Sequence, residues 1–165
     1  IRQGLPGDQL QGRLTKVRPY GIEAQVVEIQ RPSPARVTPR CAHFGPCGGC
    51  DLQHLSYEQQ VRWKLESLEA ALRQEGGLRS IPPIEVVPLK DPWGYRSKME
   101  FSFGQEGNRI TLGLHQRGSF QRIVDITTCH IAHPAVSELL QAIKETAGRF
   151  PLRSYNPKIH QGFWR

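Results

Sequence analysis

The spacing of apolar and polar residues along the chain changes period twice. Over 9–17 and 22–29 it is that of strands, two runs separated by Arg18-Pro19-Tyr20-Gly21 and preceded by a turn signal, Leu5-Pro6-Gly7-Asp8. In the second run Ile22, Ala24 and Val26 alternate with polar neighbours, and the apolar phase then slips to Val27 and Ile29, which predicts a bulge. Two strands alone are only marginally stable in water, so this stretch reads as the remainder of a small barrel. Residues 31–40 hold Pro32, Pro34 and Pro39 among Arg31, Arg36 and Arg40, a composition that predicts an extended spacer. A domain boundary placed there divides the chain into 1–35 and 36–165.

The period becomes helical over 56–75. Tyr57, Val61, Leu65, Leu68 and Leu72 fall on one stripe, Ser56 and Gln59 have capping-box spacing, and Gly76-Gly77 ends the run. After Ile81-Pro82-Pro83 a short strand is expected over 84–89. A longer one is expected over 95–103, with Tyr95, Ser97, Met99, Phe101 and Phe103 on its apolar face and Arg96, Lys98, Glu100 and Ser102 on the other. A loop over 104–108, a strand over 109–115 with Ile110, Leu112 and Leu114 inward, a turn over 116–119 and a strand over 120–126 complete an antiparallel meander with one wet face. Pro134 suits the first turn of a second helix that buries Val136, Leu139, Leu140 and Ile143, and the tail from Pro151 allows one final strand. The expected class is α+β: a remnant of an OB-like barrel, then an antiparallel sheet with flanking helices.

Composition narrows the function. The chain has 165 residues, with 38% hydrophobic and 22% charged residues, which excludes collagen-like, disordered and membrane-spanning classes. It opens with Ile1, its one methionine is Met99, and no leader is visible, so it reads as a piece of a longer cytoplasmic protein. Lys and Arg total 22 against 15 Asp and Glu, giving +7 and a pI near 9.6. The surplus lies at the two ends of the chain and favours a polyanionic partner, since each neutralised phosphate releases counterions.

Four cysteines change the picture further. Cys41, Cys47 and Cys50 are spaced C-x5-C-x2-C, with Gly48 and Gly49 removing side chains from the tight turn, and Cys129 stands far downstream where the meander ends. Clustered thiols in a reducing compartment point to metal, and four of them complete a coordination set. Spacing alone leaves zinc and an iron–sulfur cluster both open, and His43, His54, His130 and His133 leave room for a mixed Cys/His zinc site. A disulfide-bonded secreted domain is a further alternative. The candidate nucleic-acid contacts are cationic: Arg96 and Lys98 on the wet face, Arg109, Arg117 and Arg122 on neighbouring strands or turns, and Lys16 and Arg18 on the barrel strands. Tyr20, Trp93 and Tyr95 are candidates for stacking on unpaired bases, although Tyr95 falls on the apolar face.

The segment Cys41-x5-Cys47-Gly-Gly-Cys50-x2-Gln53-His54-Leu55-Ser56-Tyr57 resembles the iron–sulfur segment of RNA uracil-5-methyltransferases, most closely the branch acting on 23S ribosomal RNA. Trp93-Gly94-Tyr95-Arg96-Ser97-Lys98, Arg117-Gly118-Ser119 and Val124-Asp125-Ile126-x2-Cys129 resemble the central domain of that family. Leu5-Pro6-Gly7-Asp8 and the strands after it resemble the end of its RNA-binding TRAM domain. The resemblance implies a [4Fe–4S] cluster on Cys41, Cys47, Cys50 and Cys129, an RNA partner, no membrane association and a monomer. It implies S-adenosylmethionine-dependent chemistry in which a cysteine attacks C6 of a flipped uracil and C5 takes the methyl group. With all four thiols assigned to metal and no glycine-rich cofactor loop after a strand, the catalytic and cofactor-binding residues are expected outside this stretch, which alone should be inactive. The 56–75 helix is then a candidate to pack on that further domain. Transfer-RNA relatives, or a free-standing zinc-containing RNA-binding protein, are the alternatives.

Overall fold

In the computed structural model, which describes residues 3–156 and 158–165, two antiparallel sheets and two helices are built from separate parts of the sequence. Residues 1 and 2 of the expected first domain and residue 157 of the tail lie outside the description. The chain divides into two compact units that interleave in sequence: residues 1–38 with 52–90, and 39–51 with 91–165. The helical stretch thus groups with the first strands, and the cysteine loop with the second sheet, whereas the sequence pattern sets a single cut between 35 and 36. The mixture of helix and antiparallel sheet is that of an α+β chain. No helix among the described residues is long and apolar enough to cross a membrane.

The first unit contains β1 (Gln9–Arg18) and β2 (Gly21–Arg31), paired as a two-stranded ribbon across Pro19-Tyr20. The expected bulge is present: Gln11 pairs with Glu28 and Gly12 with Val26, so Val27 is the extra residue where the apolar phase slips. Gly7 takes φ +88° at the third position of the Leu5–Asp8 turn, after proline, the geometry of a type II turn. Residues 31–40 are not a free spacer. Asp8, with a fully buried carboxylate, accepts hydrogen bonds from the Leu5 and Ser33 N–H groups and pairs with Arg36. Arg36 in turn bridges to Leu55, and the Val37 N–H donates to the His54 carbonyl. Hydrogen bonds from Arg36 hold the Asp8 carboxyl well below the usual carboxylate range, against the opposing effect of burial.

The helix α1 (Tyr57–Gln74) forms within one residue of its expected limits, but Ser56 makes no side-chain cap. Gln60, not Gln59, secures the start, donating to the Leu52 and Leu55 carbonyls. Gly77 at φ +66° ends the helix, with the Leu78 N–H returning to the Leu72 carbonyl. No residue of α1 is buried, and Leu68 is exposed. The strand expected over 84–89 does not form. Val86, Val87 and Leu89 are exposed, and the backbone is held at Leu89, whose N–H donates to the Tyr57 hydroxyl.

The second unit contains β3 (Ser102–Glu106), β4 (Arg109–His115) and β5 (Ile123–Asp125) in the order β3-β4-β5, followed by α2 (Ala135–Gly148). The strand expected over 95–103 starts only at Ser102. Arg96 instead makes a parallel bridge to Ala132, so Tyr95 lies exposed rather than on an apolar face. The loop expected over 104–108 shrinks to Gly107-Asn108, with Glu106 paired to Arg109 and Gly107 at φ +59°, the positive angle a tight hairpin requires. The central strand is covered on both faces: Leu112 is buried as expected, but so are Thr111 and Gly113. A Cβ on Gly113 would run into the Val124 carbonyl and the Ile126 side chain, so only glycine fits where β5 crosses. Leu140 and Ala147 bury α2 while Leu139 stays exposed. Asp125 ties the layers together, pairing with Lys144 at 2.6 Å and Arg109 at 3.0 Å and accepting the Leu112 N–H. Burial alone would raise its carboxyl, yet these cations and the Leu112 N–H hold it low. The tail carries isolated bridges at Ser154 and Asn156 rather than a strand.

Candidate metal centre and adjoining groove

The three clustered cysteines lie on a loop docked along the end of β4. The Gly48 N–H donates to the His115 carbonyl, the Arg117 N–H donates to the Pro46 carbonyl, and Cys47 bridges Gln116. The glycines are needed for this approach, because a Cβ on Gly48 would meet the His115 carbonyl at 2.9 Å and one on Gly49 would meet Leu114 at the same distance. The loop is also tied to the segment carrying the fourth cysteine. The His43 Nε2 accepts the Thr127 N–H at 3.2 Å and contacts the Thr127 hydroxyl at 3.0 Å, two residues before Cys129. The sequence gives no signal of this link, since neither residue type is distinctive there.

The four cysteines are thiols. Cys47 and Cys129 are buried in one cluster with Leu112, Ile126, Ile131, Ala132 and Leu140, and Cys50 packs against it. Burial pushes the Cys47 thiol up, the Gly49 N–H opposes this, and the nearby Cys41 and Cys129 add to the rise. Cys129 and Cys47 thus share one buried cluster, with Cys50 packed against it. A buried thiol such as Cys47, held from ionising mainly by desolvation, is a poor nucleophile, whereas a bound cation would favour its thiolate. Among the described residues no three His, Cys, Asp or Glu side chains are arranged to hold a single ion.

The histidines separate. His43 spends Nε2 on Thr127, His133 accepts the Ala135 N–H, and His54 is buried in the first unit. His130 stands edge-on to Trp93, and burial, with Arg40 and His43 nearby, lowers its pKa. Arg40 lies over the Trp93 ring, 5.1 Å from its centroid.

Arg117, expected at the RNA surface, is largely spent inside. Its guanidinium pairs with Asp51 and donates to the carbonyls of Gly45, Cys47 and Cys50, fixing the curvature of the cysteine loop. Its outer edge lines an open groove of about 740 Å³ together with Gly48, Gly49, Arg96, Lys98, Glu100 and the 114–120 segment. Lys98 pairs with Glu100 at 2.9 Å and Arg109 with Glu106 and Asp125. Arg122 is exposed on the same turn. In the first unit Arg18 pairs with Glu23 at 3.0 Å, Lys16 is exposed, and Tyr20 points wholly to solvent.

No protein-family model matches the chain. It is 36% identical to the 23S rRNA (uracil(1939)-C(5))-methyltransferase RlmD of Ralstonia pickettii, over 96% of the chain and 35% of that protein. It is 32% identical to an uncharacterized RNA methyltransferase of Chlorobaculum tepidum, over 97% of the chain and 36% of the relative. Among solved structures, the Pyrococcus abyssi tRNA (uracil-54, C5)-methyltransferase in complex with S-adenosyl-L-homocysteine is similar with a TM-score of 0.65 and 27% identity. The match covers 96% of this chain and 34% of that one. The chain therefore spans about a third of the length of the curated relatives it matches.

Proposed function

We propose that this chain is the RNA-recognition and iron–sulfur portion of an S-adenosylmethionine-dependent enzyme that methylates C5 of a uridine in 23S ribosomal RNA. The reading is carried by similarity along nearly the whole chain to a 23S rRNA uracil-C5 methyltransferase. The C-x5-C-x2-C spacing, with Cys47 and Cys129 in one buried cluster and Cys50 packed against it, supports a centre held by thiolates. Cys41, Cys47, Cys50 and Cys129 would hold a [4Fe–4S] cluster. When bound, the cluster would cross-link the loop to the end of the sheet and offset part of the buried thiolate charge.

The chain's own residues do the rest. Arg117 holds the carbonyls between the thiols, and His43 holds the approach to Cys129. Arg96, Lys98 and Arg122 on the second unit, and Lys16 and Arg18 on the β1–β2 ribbon, which we read as part of a TRAM barrel, supply cations to phosphates. Four thiols committed to the cluster leave none among these 165 residues to attack uracil C6. Methyl transfer and S-adenosylmethionine binding are accordingly assigned outside this stretch, which alone is inactive.

The likeness to a tRNA uracil methyltransferase structure favours a second reading, with tRNA as the substrate. Filter binding to a 23S rRNA fragment, a tRNA transcript and single-stranded DNA of the rRNA sequence separates the two. Tightest binding to the ribosomal fragment is expected; preference for tRNA selects the second reading. Equal binding of DNA, or no binding of RNA, overturns both.

A further inference from the structure

We propose that the groove beside the cysteine loop seats one unpaired nucleotide of RNA, with its base stacked on Phe120 and its phosphate drawn to Arg96. The proposal rests on the RNA-recognition reading above and assigns a contact that the sequence pattern, which treats Phe120 as a strand residue, does not suggest.

Phe120 is 94% exposed on the wall of the groove. A single exposed apolar side chain needs no explanation by itself. This one is held out by a closed loop. The Gln116 N–H donates to the Arg122 carbonyl at 2.7 Å, and the Ser119 N–H donates to the Gln116 carbonyl at 2.9 Å. The Ser119 hydroxyl accepts the N–H groups of Gln121 and Arg122, and Gly118 takes φ +75° to make the bend. A loop bonded in this way presents the ring to solvent instead of folding it inward.

The surroundings suit a nucleotide. The lining cations Arg96, Lys98 and Arg117 outnumber the one carboxylate, Glu100. Lys98 is paired with Glu100 and Arg117 with Asp51, whereas among the described residues Arg96 has no ion-pair partner, which leaves it for a phosphate. Gly48 and Gly49 line the groove without side chains. The volume, about 740 Å³, lies within the range of small-ligand sites, roughly 300–1,000 Å³. A flat ring beside a free cation offers stacking that tolerates any base and a charge that follows the backbone.

The test is binding of the 165-residue chain to an unstructured RNA decamer of mixed sequence and to an abasic decamer of the same backbone. The base-bearing strand should bind tighter. Phe120→Ala should weaken it by about five- to a hundredfold while leaving the abasic strand unchanged, and Phe120→Trp should retain binding. Arg96→Ala should weaken both strands and reduce the log–log salt slope by about 0.7. If the wild type binds the base-bearing strand and Phe120→Ala binds it equally well, the stacking site is refuted and RNA recognition stands. If neither strand binds the wild type, both fall.

Discussion

The two units of this chain are held together in different ways. In the first, Leu14, Val17, Tyr20, Ile22 and Val27 of the ribbon face water and α1 buries no side chain. Its buried apolar residues are few, among them Leu5, Ala24 and Leu55, and beside them one buried carboxylate, Asp8, gathers two backbone N–H groups and a guanidinium. The second unit has a continuous core, and two of its buried members are cysteines. Apolar area left in water contributes none of the ~25 cal/mol/Å² that burial provides, so the first unit leans more on directional bonds and the second more on a packed core that includes sulfur. The first unit is therefore the one whose stability should answer most directly to the state of a single carboxylate.

The largest effect should follow Cys129→Ala. It removes a buried core thiol and one ligand of the proposed cluster, so amide exchange protection should collapse across β4, β5 and α2 while β1 and β2 keep theirs. Uniform loss across both units would erase the contrast. Next is Asp8→Ala, which leaves Arg36 without its counter-charge in a mostly buried site. About 3 kcal/mol of destabilisation is expected, confined to the first unit and measured by urea unfolding with a probe on the ribbon. The same carboxyl sets a pH dependence. Its folded pKa is depressed, so its contribution is complete above the ordinary carboxylate range and drains as pH falls below about 4. Asp8→Asn should remove that acid sensitivity, and an unchanged acid transition would place the pin elsewhere.

Arg117→Lys should cost about 2 kcal/mol, because an ammonium cannot reproduce the fork that joins Asp51 to three loop carbonyls. Thermal unfolding of the second unit reads it, and no shift would mean that the loop holds its shape without the guanidinium. The smallest effect belongs to Tyr20→Ser on the exposed ribbon, within about 0.5 kcal/mol on folding. A large loss there would show that the ribbon face is covered.

What was legible in the sequence follows the same division. Strand β4 was readable to the residue from Ile110, Leu112 and Leu114, and α1 nearly so from its stripe, because each pattern agrees with the element it forms. The bulge at Val27 was visible as a phase slip. Alternation failed over 95–101, where the backbone at Arg96 pairs with Ala132 rather than with β4, a choice made by tertiary structure. Apolar residues over 84–89 found no partner strand and stay irregular. At the candidate centre, glycine and cysteine spacing gave the loop away. The roles of Arg117 and His43 did not show, since their partners are backbone groups and a threonine remote in sequence.

The iron–sulfur reading of the second unit turns on whether four thiols share one inorganic centre. Anaerobically purified chain should be brown, with iron and acid-labile sulfide in equal amounts, roughly four of each per chain, and Cys129→Ala should lose both. A colourless protein carrying one zinc, or a Cys129→Ala variant that keeps its full iron and sulfide, would contradict it.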